Sequence, residues 1–238
     1  MEHLFRKIER RDTLTDEERR VLEQAVSQVI DLPARKLIVR EKVQLDHSNL
    51  LLSGLVCRYK DLPDGQRQIL EIHVPGDFLD MHSFLLKKLE HNVATLTPCR
   101  IAFFPHDRLK AISEEHPHLA RMLWLGTLMD AAMHREWILS VGRRSAIGRL
   151  AHLFAELLIR MQIVGLASDS EYMLPLTQVD LADATGLTSV HVNRMLRELR
   201  DTGVMSLRDG RVVIEDLAQL HRLGGFDPGY LYLDKQPR

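Results

Sequence analysis

The chain has 238 residues, 45% hydrophobic and 27% charged, with a formal net charge of −1. Those values suit a globular protein with a sizeable core and two domains, and Cys57 and Cys99 alone exclude a disulfide framework and fit a reducing cytoplasm. With so little net charge, nucleic-acid binding has to come from a local arrangement of charge rather than from composition.

The N-terminal stretch MEHLFRKIERRD is charged throughout and has no apolar h-region, so no secretory signal is expected. Residues 13–30, TLTDEERRVLEQAVSQVI, read as a helix opened by a capping box. In it Thr15 accepts from the N3 amide and Glu18 reaches back. From Leu37 to about Pro105 the pattern changes to short apolar runs (LIV, LLL, GLVCRY, QILEIHV) separated by HSN, LPDG and PGD, which carry turn chemistry. Asp64-Gly65 between two runs signals a hairpin, because both residues tolerate positive φ. The spacing of the strands predicts a small all-β barrel or roll.

After Asp107 the helical period returns. In LARMLWLGTLMDAAMHREWILS, Leu119, Met122, Gly126, Met129 and Met133 recur at steps of three and four, as a coiled-coil seam does. Leu125, Leu128, Ala132 and Leu139 form a second stripe. A helix with two apolar stripes has two surfaces to cover. One is expected on the roll and the Leu119 seam on the same helix of a second subunit; the alternative is a central helix buried within one domain. The longest apolar run, residues 122–129, is far short of the ~20 residues a bilayer span needs. Gly142, in Val141-Gly142-Arg143-Arg144, marks the expected hinge, since Gly weakens a helix interior. Another helix, IGRLAHLFAELLIRMQ, runs to about residue 162.

The stretch LADATGLTSVHVNRMLREL, residues 181–199, breaks one short helix and starts another. Leu181, Leu187, Val192 and Leu196 can share an interior, and Ala182 is small where two helices cross. Gly186 supplies the turn, and Thr188 caps the second helix. The outer face is then Ser189, Val190, Asn193, Arg194 and Arg197. In a DNA major groove, Arg can bond bidentately to guanine, Asn to adenine, and Val can touch a thymine methyl. Thr177, Gln178 and His191 are placed as further contacts, Thr177 and His191 suiting the phosphate backbone. Val204 to Ile214, with Asp209-Gly210 at its turn, reads as a hairpin wing flanked by Arg208 and Arg211. The alternative is a winged helix used for protein contacts, its arginines forming a solvated face.

From about residue 13 to 222 the chain resembles the Crp/Fnr family of bacterial transcription regulators. The matches are TGLTSVHVNRMLRELRDTGV, the wing SLRDGRVVIEDLAQL and PGDF at residues 75–78. The resemblance implies an α+β fold with three parts. These are a cyclic-nucleotide-binding-like sensor domain, an antiparallel β-roll or jelly roll with its N-terminal helix (1–108), a long dimerisation helix (109–141) and a winged helix-turn-helix domain (142–238). It further implies a cytoplasmic homodimer reading a pseudo-palindromic site through a recognition helix near 188–201, with RNA polymerase as a partner and no membrane. By resemblance Arg194 occupies the place of the family's guanine-reading arginine, while Val190 stands where well-studied members carry Glu, which changes the expected operator.

Cyclic-AMP-binding members carry a Glu for the ribose and an Arg-Ser pair for the phosphate after the PGDF-like turn. Here, by that alignment, Met81 replaces the Glu, and His91 and Asn92 replace the pair. A neutral His and an amide hold phosphate less firmly than a guanidinium, so cyclic AMP is not the expected effector. Either an unidentified small molecule uses a pocket of Asp77, Phe78, His82, Ser83, His91 and Asn92, or these are structural residues of an inherited roll. Two cysteines cannot supply the four thiolates of an iron–sulfur cluster within one chain. The histidines, His73, His82 and His91 among them, show no metal-ligand spacing, and no cofactor or metal is expected. There is no nucleophile–base pairing, P-loop or GxGxxG. Asp77 and Asp80 sit in a turn where Asp is common for backbone reasons, and no enzyme activity is expected. A ligand-binding or protein-interaction module that has ceased to read DNA is the competing function.

Overall fold

A computed structural model describes residues 1–237. They fall into two compact units, one of residues 1–60, 71–131 and the segment from Tyr232, the other of residues 61–70 and 132–231.

The first unit opens with helices α1 (Glu2–Glu9) and α2 (Asp16–Gln24). The Thr15–Glu18 capping box forms as expected, but the helix it opens ends six residues before Ile30 because β1 (Gln28–Leu32) begins there. Although charged, the N-terminal dozen residues carry Leu4, Phe5 and Ile8 on one buried face of α1.

Strands β2 (Leu37–Val39), β3 (His47–Ser53), β4 (Val56–Asp61), β5 (Arg67–His73), β6 (Asn92–Thr95) and β7 (Cys99–Pro105) follow, with the one-turn helix α3 (Ser83–Leu86) between β5 and β6. They form two sheets, ordered β1-β7-β3 and β2-β6-β4-β5. The pairs β1–β7, β3–β7 and β4–β6 run antiparallel, with Ile30 opposite Ile101, Leu50 opposite Ala102 and Cys57 opposite Ala94. Inward residues such as Leu51, Val56, Val93 and Ile101 build one core. A second core joins Leu50 and Phe104 to α1, to α2, and to α4 (His106–Glu115) and α5 (Pro117–Arg143). Gly76, in the PGDF turn, has φ +89, and a Cβ there would lie 2.7 Å from the His3 carbonyl. That turn therefore needs glycine.

The long helix expected over 109–141 is two helices, because Pro117 opens α5 where a proline's missing N–H costs nothing. Its apolar faces divide differently from the expected stripes: of the second stripe, Leu128 and Leu139 are exposed, Leu125 is half-buried and Ala132 is buried. Leu119 and Met122 belong to the roll's second core, Met129 and Met133 are also buried within the chain, and Gly126 is half-buried. The Leu119 seam is therefore not free for a second subunit. Trp124 (65% exposed), Leu128 and Ile138 (73%) form the uncovered stripe. Both stripes have the same period, so spacing alone could not tell which one the roll covers.

In the second unit, α5 runs through Gly142 to Arg143, so it ends within the Val141–Arg144 stretch expected as the hinge, just past the glycine. The chain breaks at Arg144–Ser145, and the Ser145 hydroxyl accepts from Gly148 N (3.2 Å) to cap α6 (Ala146–Ile163). A buried strand residue, Tyr172 of β8 (Glu171–Met173), donates its hydroxyl to the Phe154 carbonyl (2.9 Å). Then come α7 (Gln178–Thr185), α8 (Ser189–Asp201), β9 (Met205–Arg208), β10 (Arg211–Ile214) and α9 (Leu217–Gly224). The wing is three-stranded, β8-β10-β9, since β8 pairs with β10. Residues 61–70 group with this unit: Arg67 Nε donates to Asp183 (2.8 Å), and Gln68 Nε2 donates to the Asp183 carbonyl (2.8 Å). No helix among the described residues is long and apolar enough to cross a membrane.

Candidate nucleic-acid interface

The two helices of the turn motif are set by local chemistry. Thr177 caps α7 in a capping box, donating its hydroxyl to Asp180 Oδ2 (2.7 Å) while accepting from Asp180 N (3.1 Å). Gly186 ends the helix at φ +63, ψ 38, the left-handed region where a Cβ is disfavoured. The Thr188 hydroxyl then accepts from His191 N (3.3 Å) and opens α8. Leu181, Val192, Met195 and Leu199 are buried between the elements. Leu187 and Leu196 are only half-buried, so the α8 core stripe runs through Met195 and Leu199 rather than Leu196.

That rotation leaves Val190, His191, Asn193, Arg194 and Arg197 exposed, and Ser189 half-buried. Val190 is 80% exposed, an apolar side chain held out on a face that is otherwise polar. Among the described residues neither Arg194, Arg197 nor Arg208 has an ion-pair or hydrogen-bond partner. Arg211, across the strand pair from Arg208, differs: Glu171 Oε2 accepts from its Nε (3.1 Å). Of the two wing arginines, Arg208 alone keeps its charge uncompensated. Two hydroxyls of the motif are engaged within the protein. Thr177 donates to Asp180, and Thr188 is within 3.2 Å of His191 Nδ1. Gln178, first in α7, receives a hydrogen bond from Asn193 Nδ2 (3.3 Å).

The six residues expected to line an effector pocket do not converge. Asp77 pairs with Lys7 and accepts from Val74 N (2.9 Å). Phe78 stacks edge-on against Phe104 (5.0 Å). Ser83 lies 3.2 Å from His106 Nε2, and Asn92 Oδ1 accepts from Glu41 N (3.0 Å). Only His82 and His91 meet, Nε2 to Nε2, at 3.1 Å. Burial, reinforced by the nearby Arg58 charge, pushes His82 down to about 3 and His91 to about 4, so both are neutral at pH 7. Among the described residues no group of three or more His, Cys, Asp or Glu is arranged to hold a metal.

The polar centre of the roll is a residue the sequence did not single out. Arg58 is 2% exposed. It donates from Nη1 to Glu71 (2.8 Å), from Nη2 to Asp130 (2.9 Å) and from Nε to the Leu79 carbonyl (2.7 Å). Burial opposes its charge, but the Glu71 and Asp130 carboxylates outweigh that and hold it above its ordinary value. Beside Met81, a cavity of about 450 Å³ is lined almost wholly by apolar groups, Phe84, Leu85, Leu123 and Trp124 among them.

Known proteins give the same reading. The cyclic nucleotide-binding domain family matches residues 29–116 and the Crp-like helix-turn-helix domain family residues 148–223. The nitrogen fixation regulation protein FixK of Bradyrhizobium diazoefficiens is 32% identical over 178 residues, spanning 73% of this chain and 72% of that protein. A probable transcriptional activator of Rhizobium leguminosarum bv. viciae is 30% identical over 178 residues, 74% of this chain and 72% of that one. In three dimensions, FixK2 from Bradyrhizobium japonicum superposes with a TM-score of 0.76 at 24% identity, covering 84% of this chain and 98% of that chain. The chain belongs to the Crp/Fnr family of DNA-binding transcription regulators.

Proposed function

We propose that this regulator acts in the cytoplasm as a homodimer on a pseudo-palindromic duplex, with α8 in the major groove and the wing on the backbone. The observation that carries this reading is the set of uncompensated cations, Arg194 and Arg197 on α8 and Arg208 at the wing tip, on a chain of net charge −1. Arg194 and Asn193 carry base contacts; Arg208, with His191, carries phosphate contacts. Arg211 is held by Glu171 and contributes less.

The second copy joins through the uncovered stripe of α5. Trp124, Leu128, Ala131, Arg135, Ile138 and Gly142 follow one another at steps of four and three, a heptad seam. Such a dimer presents its recognition helices ~34 Å apart, one DNA turn, and RNA polymerase is its downstream partner.

The signal is not cyclic AMP. Met81 is apolar and buried, His91 is neutral at pH 7, and Asn92 is held by Glu41 N, so the phosphate place offers no permanent cation. Any effector enters a roll whose own guanidinium, Arg58, is already saturated by two carboxylates.

Selection of random duplex DNA by purified protein at moderate salt tests the reading. The expected result is a two-fold-related motif with half-sites one turn apart, recovered with or without added cyclic AMP. A folded protein that enriches no motif, alone and with cell extract, would overturn it.

A further inference from the structure

Asn193 and Gln178 sit on different helices of the turn motif, 15 residues apart, yet their side-chain amides meet. Asn193 Nδ2 donates to Gln178 Oε1 at 3.3 Å. Gln178 is the first residue of α7, and Asn193 lies on the exposed face of α8 between Val190 and Arg194. The helices carrying them are fixed against each other by the buried Leu181, Val192 and Met195 and by the left-handed turn at Gly186. What remains free is the terminal amide torsion of each side chain, which is broad and two-fold when nothing holds it.

The sense of that amide decides which base an asparagine can read. With one Nδ2 hydrogen given to Gln178, Asn193 is left with Oδ1 as acceptor and its second Nδ2 hydrogen as donor. In the major groove, adenine offers N7 as acceptor and N6–H as donor, whereas guanine offers two acceptors, N7 and O6. The opposite sense, with Gln178 donating to Oδ1, would leave two donors and suit guanine. We propose that Gln178 is a positioning residue for sequence reading, fixing the amide of Asn193 in the sense that selects adenine. This inference rests on the DNA-binding reading above and deepens it.

The test uses the full-length protein and the selected operator, with each half-site position replaced in turn by the other three base pairs. Binding is followed by fluorescence anisotropy for wild type, Asn193→Ala, Gln178→Ala and Gln178→Glu. Wild type should prefer adenine ~10-fold or more at one position of each half-site. Asn193→Ala should erase that preference there and at no other position. Gln178→Ala should weaken the same preference several-fold and leave the others intact. Gln178→Glu can only accept from Nδ2, so it should keep the adenine preference while losing affinity equally on all four bases.

A guanine preference at the Asn193 position would overturn the proposal, and so would a Gln178→Ala loss spread evenly over every sequence, the mark of a phosphate contact. Wild type without preference at any position is a different result, because it removes the DNA reading itself.

Discussion

Trp137 donates its indole N–H to both carboxylate oxygens of Glu156, each at 3.2 Å, and Glu156 is fully buried in α6. The same carboxylate accepts from Arg160 Nη1 (3.1 Å) and from the Tyr230 hydroxyl (2.7 Å). One buried anion therefore ties together α5, α6 and the 3-10 turn Pro228–Leu231. Three donors satisfy a group that would otherwise be costly to bury.

Replacing Glu156 by Ala should destabilise the protein by about 3–5 kcal/mol, because it breaks a buried ion pair with Arg160 and removes the acceptor of the Trp137 indole N–H. Trp137→Phe removes one donor only and should cost about 1 kcal/mol. Urea unfolding followed by circular dichroism compares the two. Equal losses would mean that Trp137 acts by packing rather than through its hydrogen bond.

Arg58 occupies the corresponding place in the roll. Arg58→Met leaves Glu71, itself almost wholly buried, facing an apolar group, and should cost about 3–5 kcal/mol. Arg58→Lys should rescue little, since a point charge cannot serve Glu71, Asp130 and the Leu79 carbonyl together. Thermal melts of both variants report this, and a fully stable lysine variant would show that charge alone suffices.

Two sets of histidines should give pH dependences of opposite sign. Burial lowers His82 and His91 from 6.5 to about 3 and about 4, so the unfolded chain takes up these protons first. Stability is then lost as pH falls below about 6.5. For His118 burial pulls down, but the hydrogen bonds it donates to Glu18 and Asp12 prevail and raise it above 6.5. Its contribution is present below pH 6.5 and lost as pH rises through the raised value. Unfolding midpoints from pH 4 to 8 should therefore fall less steeply on acidification in His82→Gln/His91→Gln than in wild type. His118→Gln should lose stability relative to wild type most at the acidic end of the neutral range. Parallel curves for all three proteins would refute both assignments.

Where the physics is local, the sequence already shows the structure. The Thr15–Glu18 box, the Asp64-Gly65 hairpin, the Gly186 turn and the Thr188 cap each depend on residues within a few positions of one another. All four form. The wing hairpin was legible for the same reason. Its third strand was not, because β8 acquires strand geometry by pairing with β10, some 40 residues later. Arg58 sits in the run GLVCRY, where a charged residue reads as solvent-facing. Only the return of Glu71 and Asp130 to the same place in the fold explains its burial. The α5 stripes show the limit most plainly, since identical periods face different partners.

Those stripes give a paired test. Ile138→Glu or Leu128→Glu places charge on the uncovered seam and should leave a folded monomer. Each side chain counts twice in a two-fold dimer, so at ~1.5–3 kcal/mol per buried side chain the dimer should weaken 100-fold or more. Met122→Glu puts the same charge into the roll's core and should unfold the chain. Sedimentation velocity with circular dichroism separates these results. A dimer unaffected by Ile138→Glu and Leu128→Glu would place the seam elsewhere.

On DNA, the unpaired arginines should divide by what they touch. Arg194→Ala removes a base contact from each protomer and should cost about 1–3 kcal/mol per half-site on the selected operator, with little effect on unrelated duplex. Arg208→Ala removes a phosphate contact from each protomer, so it should weaken binding to all sequences alike. It should also lower the slope of log K against log salt by ~2 for the dimer, at ~0.9 per phosphate. Arg211→Ala should change that slope less, since its charge is already compensated by Glu171. Titrations at four salt concentrations on operator and scrambled DNA distinguish the three variants. If Arg208→Ala and Arg211→Ala shift the slope equally, the pairing of Arg211 does not persist on DNA, and the wing contributes both of its cations.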